Sequence, residues 1–379
     1  METNILLHLH ALGGAVVAFV FVLSVVVFVH ELGHFLVARW CGVRILVFSI
    51  GFGPEIVGFN DRYGTRWKIS AIPLGGFVKF FGDENVASAQ DGTAPATMDE
   101  NERVLSFVFQ PLFKRAAIVV AGPLANFLLA IVIFAGIAFA YGKQTMSARV
   151  DEVAPHSAAA AAGFRPGDLV VEIDGHAIGD FAEMQRVVSE SAGESLDITV
   201  LRGADRLVLK AVPTLTEEKD IFGNIHRIGL LGIKRSNARE DVKFQPVSPP
   251  QAVWIGVEET WRVIDQTVRY IGGVVTGRKP ADQLSGPIGI ARIVGQAATI
   301  SFAFVIQITA AISVSIGLLN LFPIPLLDGG HLLFYSIEAI RGRPLSERAQ
   351  ELSFRIGVAI VLMLMIFATF NDIVHLTNS

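Results

Sequence analysis

A long apolar run that ends in three ionisable residues restricts the possible folds of this chain more than any other feature of its sequence. Residues 11–29 carry only apolar side chains, glycine and one serine, and with the next turn they are long enough to cross a bilayer as a helix. His30, Glu31 and His34 follow directly. An ionisable side chain inside a membrane helix costs roughly 2.5–3.5 kcal/mol on insertion scales, so we expect this group to serve a function.

His30 and His34 have the spacing needed to bind one metal ion. Residues four apart on a helix lie above one another on the same face, so both imidazoles can reach a single ion. Glu31 is close enough to contact a water on that ion without being a ligand. This His-Glu-x-x-His pattern is typical of zinc hydrolases, in which the glutamate is the general base. The pattern by itself would also fit two surface histidines that bind no metal, but the apolar sequence around it favours a metal-binding site.

The composition indicates a membrane protein with several spans. Of the 379 residues, 52% are hydrophobic and 17% are charged, and the mean hydropathy is +0.52; these values are too apolar for an ordinary soluble protein. The net charge of −4 offers no case for nucleic-acid binding. The single cysteine, Cys41, excludes an intrachain disulfide and a cysteine-based zinc site. No basic residue precedes the first apolar run, so a cleaved signal peptide is not expected.

Four apolar segments qualify as membrane spans, at residues 11–40, 116–141, 301–321 and 356–370. Lysine and arginine concentrate in the loop after the first span and in the short loop before the last one. The positive-inside rule therefore predicts that these two loops are cytoplasmic and that both termini and residues 142–300 lie outside. The predicted fold class is a polytopic α-helical membrane protein with about four transmembrane helices.

Between the spans, the patterns predict three further parts. Within residues 44–82, residues 66–71 alternate between polar and apolar, which is the period of a half-buried strand. Residues 51–54 and 73–76 are expected to be turns at either end, so a small β-sheet at the membrane face is predicted. Residues 148–153, 169–173, 196–201 and 207–212 are predicted strands of a soluble outer domain, with a helix at 180–191. Residues 251–276 form a predicted amphipathic helix on the membrane surface. The predicted domains are thus 1–145, 146–235, 236–300 and 301–379.

A third metal ligand is expected near the end of the third span. Catalytic zinc sites usually have three protein ligands and an open fourth position. Pro323 and Pro325 unwind the helix there, which is tolerable where the freed backbone lines a protein cavity, and Asp328 follows the break. Asp328 is the preferred third ligand, with His331 as a competitor. A helix N-cap is the alternative role for Asp328.

Two paired motifs resemble one known family. His30-Glu31-Leu32-Gly33-His34 on a first span, together with Asn320-x-x-Pro323-x-Pro325-x-x-Asp328-Gly329 on a late span, is similar to the site-2 protease family of intramembrane zinc metalloproteases. Residues 163–175 resemble the bacterial PDZ signature, so the outer domain is expected to be an inserted α+β PDZ domain. That arrangement is similar to the bacterial regulator of sigma-E protease branch, although this chain has room for one PDZ domain rather than a tandem pair.

The resemblance implies a function. It implies a Zn²⁺ held by His30, His34 and Asp328, with Glu31 as catalytic base and Asn320 holding the substrate backbone or its developing oxyanion. It also implies a location in the bacterial cytoplasmic (inner) membrane. The expected substrates are single-span membrane proteins, such as anti-sigma factors already trimmed by an upstream site-1-type protease, or remnant signal peptides.

Further substrate contacts are predicted from the residues themselves. Because a substrate helix must unwind before a carbonyl reaches the metal, we expect an open edge of the β-sheet at Ile69, Ser70 and Ala71 to pair with it. Gly75 and Gly76 would let the substrate backbone approach closely. A structural hairpin that only plugs the cytoplasmic side is the alternative. Asn126, a buried polar residue on the second span, serves either the active site or an interhelical hydrogen bond.

Two other classes of function remain open at this point. A metal transporter could use the same three ligands, but it would need ionisable residues along a path through the membrane, and the other spans have few. A non-catalytic PDZ-bearing membrane adaptor would not need Glu31. Both are less well supported than a protease.

Overall fold

The structure, a computed structural model, describes residues 2–82, 98–219, 225–234, 242–277, 281 and 285–377. It divides into two units. One consists of Met1–Ile137 with Pro250–Ser379, and the other is Ala138–Pro249. The first unit carries the predicted metal ligands.

Four of the described helices are long and apolar enough to cross a membrane. The candidate spans are Gly13–Trp40 within α1 (Glu2–Trp40), Leu112–Tyr141, which is α3, Phe302–Asn320, which is α8, and Arg348–Val374 within α10 (Glu347–Thr377). The prediction of four apolar spans is confirmed. The remaining helices of this unit are α2 (Glu100–Leu105), α6 (Pro249–Val275), α7 (Pro287–Ile300) and α9 (Asp328–Arg341).

The predicted small sheet is present, but its strands are longer than expected. β1 (Ile45–Asn60) and β2 (Arg66–Phe80) run through both of the glycine- and proline-containing segments that were expected to be turns. Gly51 and Gly75, with φ of 86° and 124°, supply bends inside the strands instead. Each strand therefore folds back, and Val47 pairs with Lys79 on one side and Arg66 on the other.

The predicted open edge at Ile69, Ser70 and Ala71 is wrong. Ile69 pairs with both Ile50 and Val57, so it lies inside the sheet. Ser70 is buried and pairs with Glu55, and Ala71 lies between paired neighbours. The bends in the two strands place residues 66–69 between two partner segments. Among the described residues, Gly76–Phe80 pairs with β1 on one side only, and this segment is the edge that approaches α1.

Aromatic packing fixes the sheet against the end of α1. Phe48 and Trp67 stack with ring centroids 4.3 Å apart, and Phe35 from α1 meets Trp67 edge-on at 4.8 Å. Such pairs stabilise by about 0.5–1.5 kcal/mol beyond the area that they bury. Arg39, in the last turn of α1, forms an ion pair of 2.5 Å with Asp61 in the loop between the strands. The helix that carries the two histidines and the sheet therefore form one packed body.

The Asp61 carboxylate is held in its charged form. Burial opposes its ionisation, but hydrogen bonds from Arg39 and from the backbone N–H groups of Thr65 and Tyr63 outweigh burial and lower its pKa to about 2. The ion pair is consequently present at every physiological pH.

The second unit is built on a four-stranded antiparallel sheet. β6 (His176–Ala177), β5 (Leu169–Ile173), β7 (Leu196–Arg202) and β8 (Asp205–Ala211) lie in this order. α4 (Ala158–Ala162) and α5 (Phe181–Glu190) complete its core. Three of the predicted strands and the predicted helix at 180–191 are confirmed.

The strand pattern of the second unit also departs from the prediction. Only Glu152–Val153, β4, is a strand within the predicted strand 148–153, and it pairs with β11 (Ile233–Lys234). Two unpredicted pairs are β9 (Thr214–Lys219) with β10 (Ile225–Leu230), and β3 (Lys143–Met146) with β12 (Val242–Gln245). Because β3 and β12 close this unit, it extends beyond the predicted bounds 146–235. Its identity as a PDZ domain stays a prediction.

A buried ion pair gives the second unit a pH dependence. The fully buried Asp168 accepts hydrogen bonds of 2.8 and 2.9 Å from Arg202. Burial raises the pKa of this carboxyl, but the bonds from Arg202 and from the Arg165 N–H outweigh burial, and its pKa lies below the ordinary value. A carboxyl whose pKa is lowered on folding stabilises the unit above its unfolded pKa of about 3.9, and this contribution is lost as the pH falls through the folded pKa.

We therefore expect Asp168→Asn to weaken protection of β5 and β7 amides from hydrogen exchange at pH 7. The difference from the unmodified protein should shrink below about pH 4. Asp197→Asn, which removes an exposed partner of Lys210, is the matched control and should have little effect. A loss of protection by Asp168→Asn that stays constant between pH 7 and pH 3 would contradict the assignment.

Candidate metal centre

The two histidines of α1 direct the same ring nitrogen to one point. His30 and His34 are 7% and 9% exposed. Their Nε2 atoms are 3.2 Å apart, and the rings meet edge to face at 4.8 Å. The four-residue helical spacing predicted this shared face. Two unprotonated Nε2 atoms this close would repel each other unless a proton or a cation lay between them.

His34 is oriented by the neighbouring helix. Its Nδ1 lies 2.8 Å from the backbone carbonyl oxygen of Ile118 on α3. A carbonyl can only accept, so Nδ1 carries a proton, and Nε2 is the nitrogen whose lone pair can bind a metal. A backbone or carboxylate partner on the outer nitrogen is the usual arrangement of a metal-binding histidine.

Asn126 orients His30 in the same way. This residue is fully buried on α3, with its amide nitrogen 3.3 Å from His30 Nδ1 and its Oδ1 without a hydrogen-bond partner. Oxygen and nitrogen of an amide are assigned by the surrounding network. Turning the amide over lets Oδ1 accept from His30 Nδ1–H, which gives this buried oxygen a partner. Asn126 thus lies beside Nδ1 of His30, on the side of the ring away from the converging Nε2 atoms. Of its two predicted roles, the structure favours the hydrogen bond between helices over a contact with substrate.

Asp328 completes the group of donors. Its Oδ2 lies 3.1 Å from His30 Nε2 and 3.5 Å from His34 Nε2, and it accepts no hydrogen bond. The N-cap of α9 is Leu327, without a side-chain capping bond, so the alternative role of Asp328 as a helix cap is not observed. His331 lines the same cavity but does not belong to the group of converging donors.

The donor set fits zinc. Tetrahedral ligands at the usual zinc distances of about 2.0–2.2 Å lie about 3.3–3.6 Å from one another. The three separations here are 3.1, 3.2 and 3.5 Å. Two imidazoles and one carboxylate leave a fourth position for water or substrate, as catalytic zinc sites require. The unpartnered Oδ2 of Asp328 is the kind of buried atom that a cation satisfies.

Glycines in the first turn of α9 let the proline-broken segment, residues 321–327, pack against the start of that helix. A Cβ atom on Gly329 would lie 2.2 Å from the carbonyl oxygen of Phe322, and one on Gly330 would lie 2.4 Å from that of Ile324. The backbone of residues 321–327 therefore fits only beside glycine. This close approach brings the Asp328 carboxylate within 3.1 and 3.5 Å of the two histidines.

A cavity of about 460 Å³ opens at the three donors. Glu31 and Asn320 line it, and the amide nitrogen of Asn320 is 3.4 Å from His30 Nε2. The predicted residues Gly75 and Gly76 also line it, and a Cβ on Gly76 would lie 3.1 Å from Glu31 Cγ. The sheet edge therefore reaches the predicted general base. The other predicted contacts, Asn126, Ile69, Ser70 and Ala71, are not among the lining residues.

Gly122 is a site residue that sequence reasoning missed. A Cβ at this position would lie 2.3 Å from His34 Nε2 and 2.9 Å from His30 Cε1. On α1, a Cβ on Gly33 would lie 2.3 Å from the carbonyl oxygen of Ala121. Small residues on both helices thus allow α1 and α3 to approach closely at the donors. Two glycines that face one another across predicted spans were the available signal.

Comparison with known proteins identifies relatives along almost the whole chain. The profile described as Peptidase family M50 matches residues 18–364. A protein of Agrobacterium fabrum, named by inference as a zinc metalloprotease, is 53% identical over 362 residues, which are 96% of each chain. Metalloprotease MmpA of Caulobacter vibrioides is 40% identical over 379 aligned positions, which cover 94% of each chain. A Rickettsia conorii protein, also named by inference as a zinc metalloprotease, is 34% identical over 367 residues, 96% of this chain and 99% of its own.

Proposed function

This chain belongs to peptidase family M50 and is a zinc metalloprotease, and we propose that it hydrolyses peptide bonds within or beside the transmembrane segments of single-span membrane proteins. The observation that carries the proposal is the convergence of His30, His34 and Asp328 beside Glu31, in a cavity lined by residues of α1, α3, α8 and α9. Three of these helices are long and apolar enough to span a membrane.

The site residues divide the chemical work between them. We assign His30, His34 and Asp328 as the zinc ligands. A bound zinc ion supplies Lewis acidity, which lowers the pKa of a water to roughly 7 and polarises a carbonyl group. The Glu31 carboxylate takes a proton from the attacking water and transfers it to the leaving amine. The Asn320 amide is positioned to donate to the substrate backbone at the carbonyl that is attacked.

A substrate helix must open before it can react, because its backbone groups are bonded within the helix. We propose that the unwound segment adds as a strand to the free side of Gly76–Phe80 and not to Ile69–Ala71. Each new backbone hydrogen bond would contribute a net ~0.5–1.5 kcal/mol and offset those lost from the helix. Gly75 and Gly76 leave room for the substrate backbone beside Glu31.

Anti-sigma factors trimmed by a site-1-type protease, and remnant signal peptides, are the substrates that we propose for this site. The distribution of lysine and arginine supports an orientation in the cytoplasmic membrane with both termini and residues 142–300 outside. We propose that the second unit is a PDZ domain, which either binds a newly exposed C-terminus or excludes bulky ectodomains by size.

A reconstituted reaction tests the cleavage position. Purified protein is incorporated in liposomes with a single-span reporter, and the products are mapped by mass spectrometry. We expect new termini inside or at the border of the apolar segment. Cuts confined to the soluble tails would show that the chain is a metalloprotease that cleaves outside the membrane, and would contradict the proposal.

Proline substitutions test the strand-addition step. At Phe77, Val78 and Lys79, each proline removes one backbone N–H, and we expect any folded variant that loses an outward N–H to bind zinc normally but cleave the reporter at least tenfold more slowly, about 1.4 kcal/mol. Val57→Pro, on the opposite side of the sheet, is the matched control. Normal cleavage by all three folded variants would exclude Gly76–Phe80 as the substrate edge.

A further inference from the structure

A buried ion pair joins α9 to α3 at the end of α9 remote from the metal centre. Arg115 Nη2 lies 2.6 Å from Glu338 Oε1, and Nη1 lies 3.3 Å from Oε2. The guanidinium also donates through Nε to the carbonyl oxygen of Gln110 at 3.1 Å and lies 5.0 Å from the ring centroid of Tyr335. The Arg115 and Glu338 side chains are 9% and 19% exposed. Both oxygens of the carboxylate are thus engaged by one rigid fork of donors.

Neither charge is explained by the stability of its own helix. Arg115 is the fourth residue of α3, near the positive end of the helix dipole, and Glu338 is in the last turn of α9, near the negative end. Each therefore destabilises its own helix terminus. The contact between the two helices gives both charges a favourable interaction that the dipoles of their own helices do not supply.

The pair lies on the same stripe of α9 as the metal ligand. Asp328, His331, Tyr335 and Glu338 are spaced by three, four and three residues, so they follow one face of the helix. At 1.5 Å per residue, Glu338 is about 15 Å from Asp328 along the axis. Tyr335, between them, is buried in the hydrophobic cluster that also contains Phe35. This face of α9 is therefore in contact with the rest of the protein at Asp328, at the buried Tyr335 and at Glu338.

α3 also orients the histidines. Ile118, one turn after Arg115, offers the carbonyl oxygen that accepts from His34 Nδ1. Arg115 therefore connects the helix that sets the His34 ring to the helix that carries Asp328. α8 does not continue into α9, because Pro323 and Pro325 interrupt the chain between them. The rotation of α9 about its axis consequently depends on its packing contacts, which include Gly329 and Gly330 at its start and Glu338 at its end.

We infer that Arg115 and Glu338 are positioning residues for the metal site: their ion pair sets the rotation of α9 and so brings Asp328 Oδ2 within reach of both histidines. This inference rests on the ligand assignment proposed above. It adds two residues that lie outside the metal-binding and substrate-binding groups.

Zinc affinity tests the inference directly. Glu338→Gln keeps the shape of the side chain but removes its charge, and Arg115→Met removes the fork of donors. In each variant we expect zinc, measured by competition with a chromophoric chelator in detergent, to bind about tenfold more weakly, which is the lower end of the loss found when a direct hydrogen-bond partner of a metal ligand is removed. Glu351→Gln breaks the exposed pair with Arg355 on α10 and should bind zinc like the unmodified protein.

The double variant Arg115→Glu, Glu338→Arg separates positioning from general stability. It restores opposite charges and places each near the favourable end of its helix, so it should recover zinc affinity relative to the single variants. If Glu338→Gln binds zinc as tightly as the unmodified protein while the metal-free variant melts at a lower temperature, the pair is only structural and the inference is overturned. If the unmodified protein itself binds no zinc, the ligand assignment fails instead.

Discussion

Replacing Glu31 by glutamine is expected to reduce peptide hydrolysis by about 10²–10⁴-fold while zinc remains bound. Glutamine has the same shape and can still hydrogen-bond a water, but its amide cannot take a proton from it. Glu31 lines the cavity next to the three donors without belonging to them, so its substitution leaves the ligand set intact. Metal analysis and reporter cleavage are measured on the same preparation.

Glu55→Gln is a suitable control for this experiment. Glu55 pairs with Arg66 on the exposed part of the sheet, and its loss should change neither zinc content nor rate. A Glu31→Gln protein that retained full cleavage activity would exclude Glu31 as the base. Loss of zinc together with activity would instead assign Glu31 to the ligand set.

Gly122→Ala is expected to abolish zinc binding with a change of one methyl group. The new Cβ would lie 2.3 Å from His34 Nε2. The ring cannot simply move aside, because its Nδ1 is held at 2.8 Å by the Ile118 carbonyl of the same helix. The helices cannot separate freely either, since α1 meets α3 closely at Gly33. The substitution should therefore displace at least one ligand atom, and activity should be lost with the metal.

Gly136→Ala is the matched control, because it lies on the same helix and its Cβ would meet no atom within 4 Å. We expect zinc content and cleavage to be unchanged, and the helix to gain about 0.5–1 kcal/mol of stability. The double variant His30→Ala, His34→Ala gives the background for a site without imidazoles. Stoichiometric zinc of normal affinity in Gly122→Ala would show that the site is looser than its geometry implies.

Much of the candidate site could be predicted because its signals are local. The four-residue spacing of His30 and His34 specifies a shared helical face whatever the rest of the chain does. Hydropathy over about twenty residues identifies the spans. Asp328 could be predicted as a ligand because two prolines interrupt an apolar segment just before it.

The errors concern features that depend on pairing between distant segments. The alternation of residues 66–71 correctly predicted a strand, but it could not show which side of that strand is free. Bends at Gly51 and Gly75 fold each strand back, and they convert the expected edge into an inner position. A glycine within three residues of a proline is typical both of a turn and of a bend within a strand, so the local signal was ambiguous.

The sequence alone thus determined which chemical groups this protein has: two imidazoles one turn apart, a carboxylate beside them and a second carboxylate after a broken helix. Only the tertiary structure decided how these groups meet. The contacts that orient the histidines join residues 84 and 96 positions apart, and the Arg115–Glu338 pair spans 223 positions. Such contacts depend on how whole helices pack, and no window of neighbouring residues contains that information.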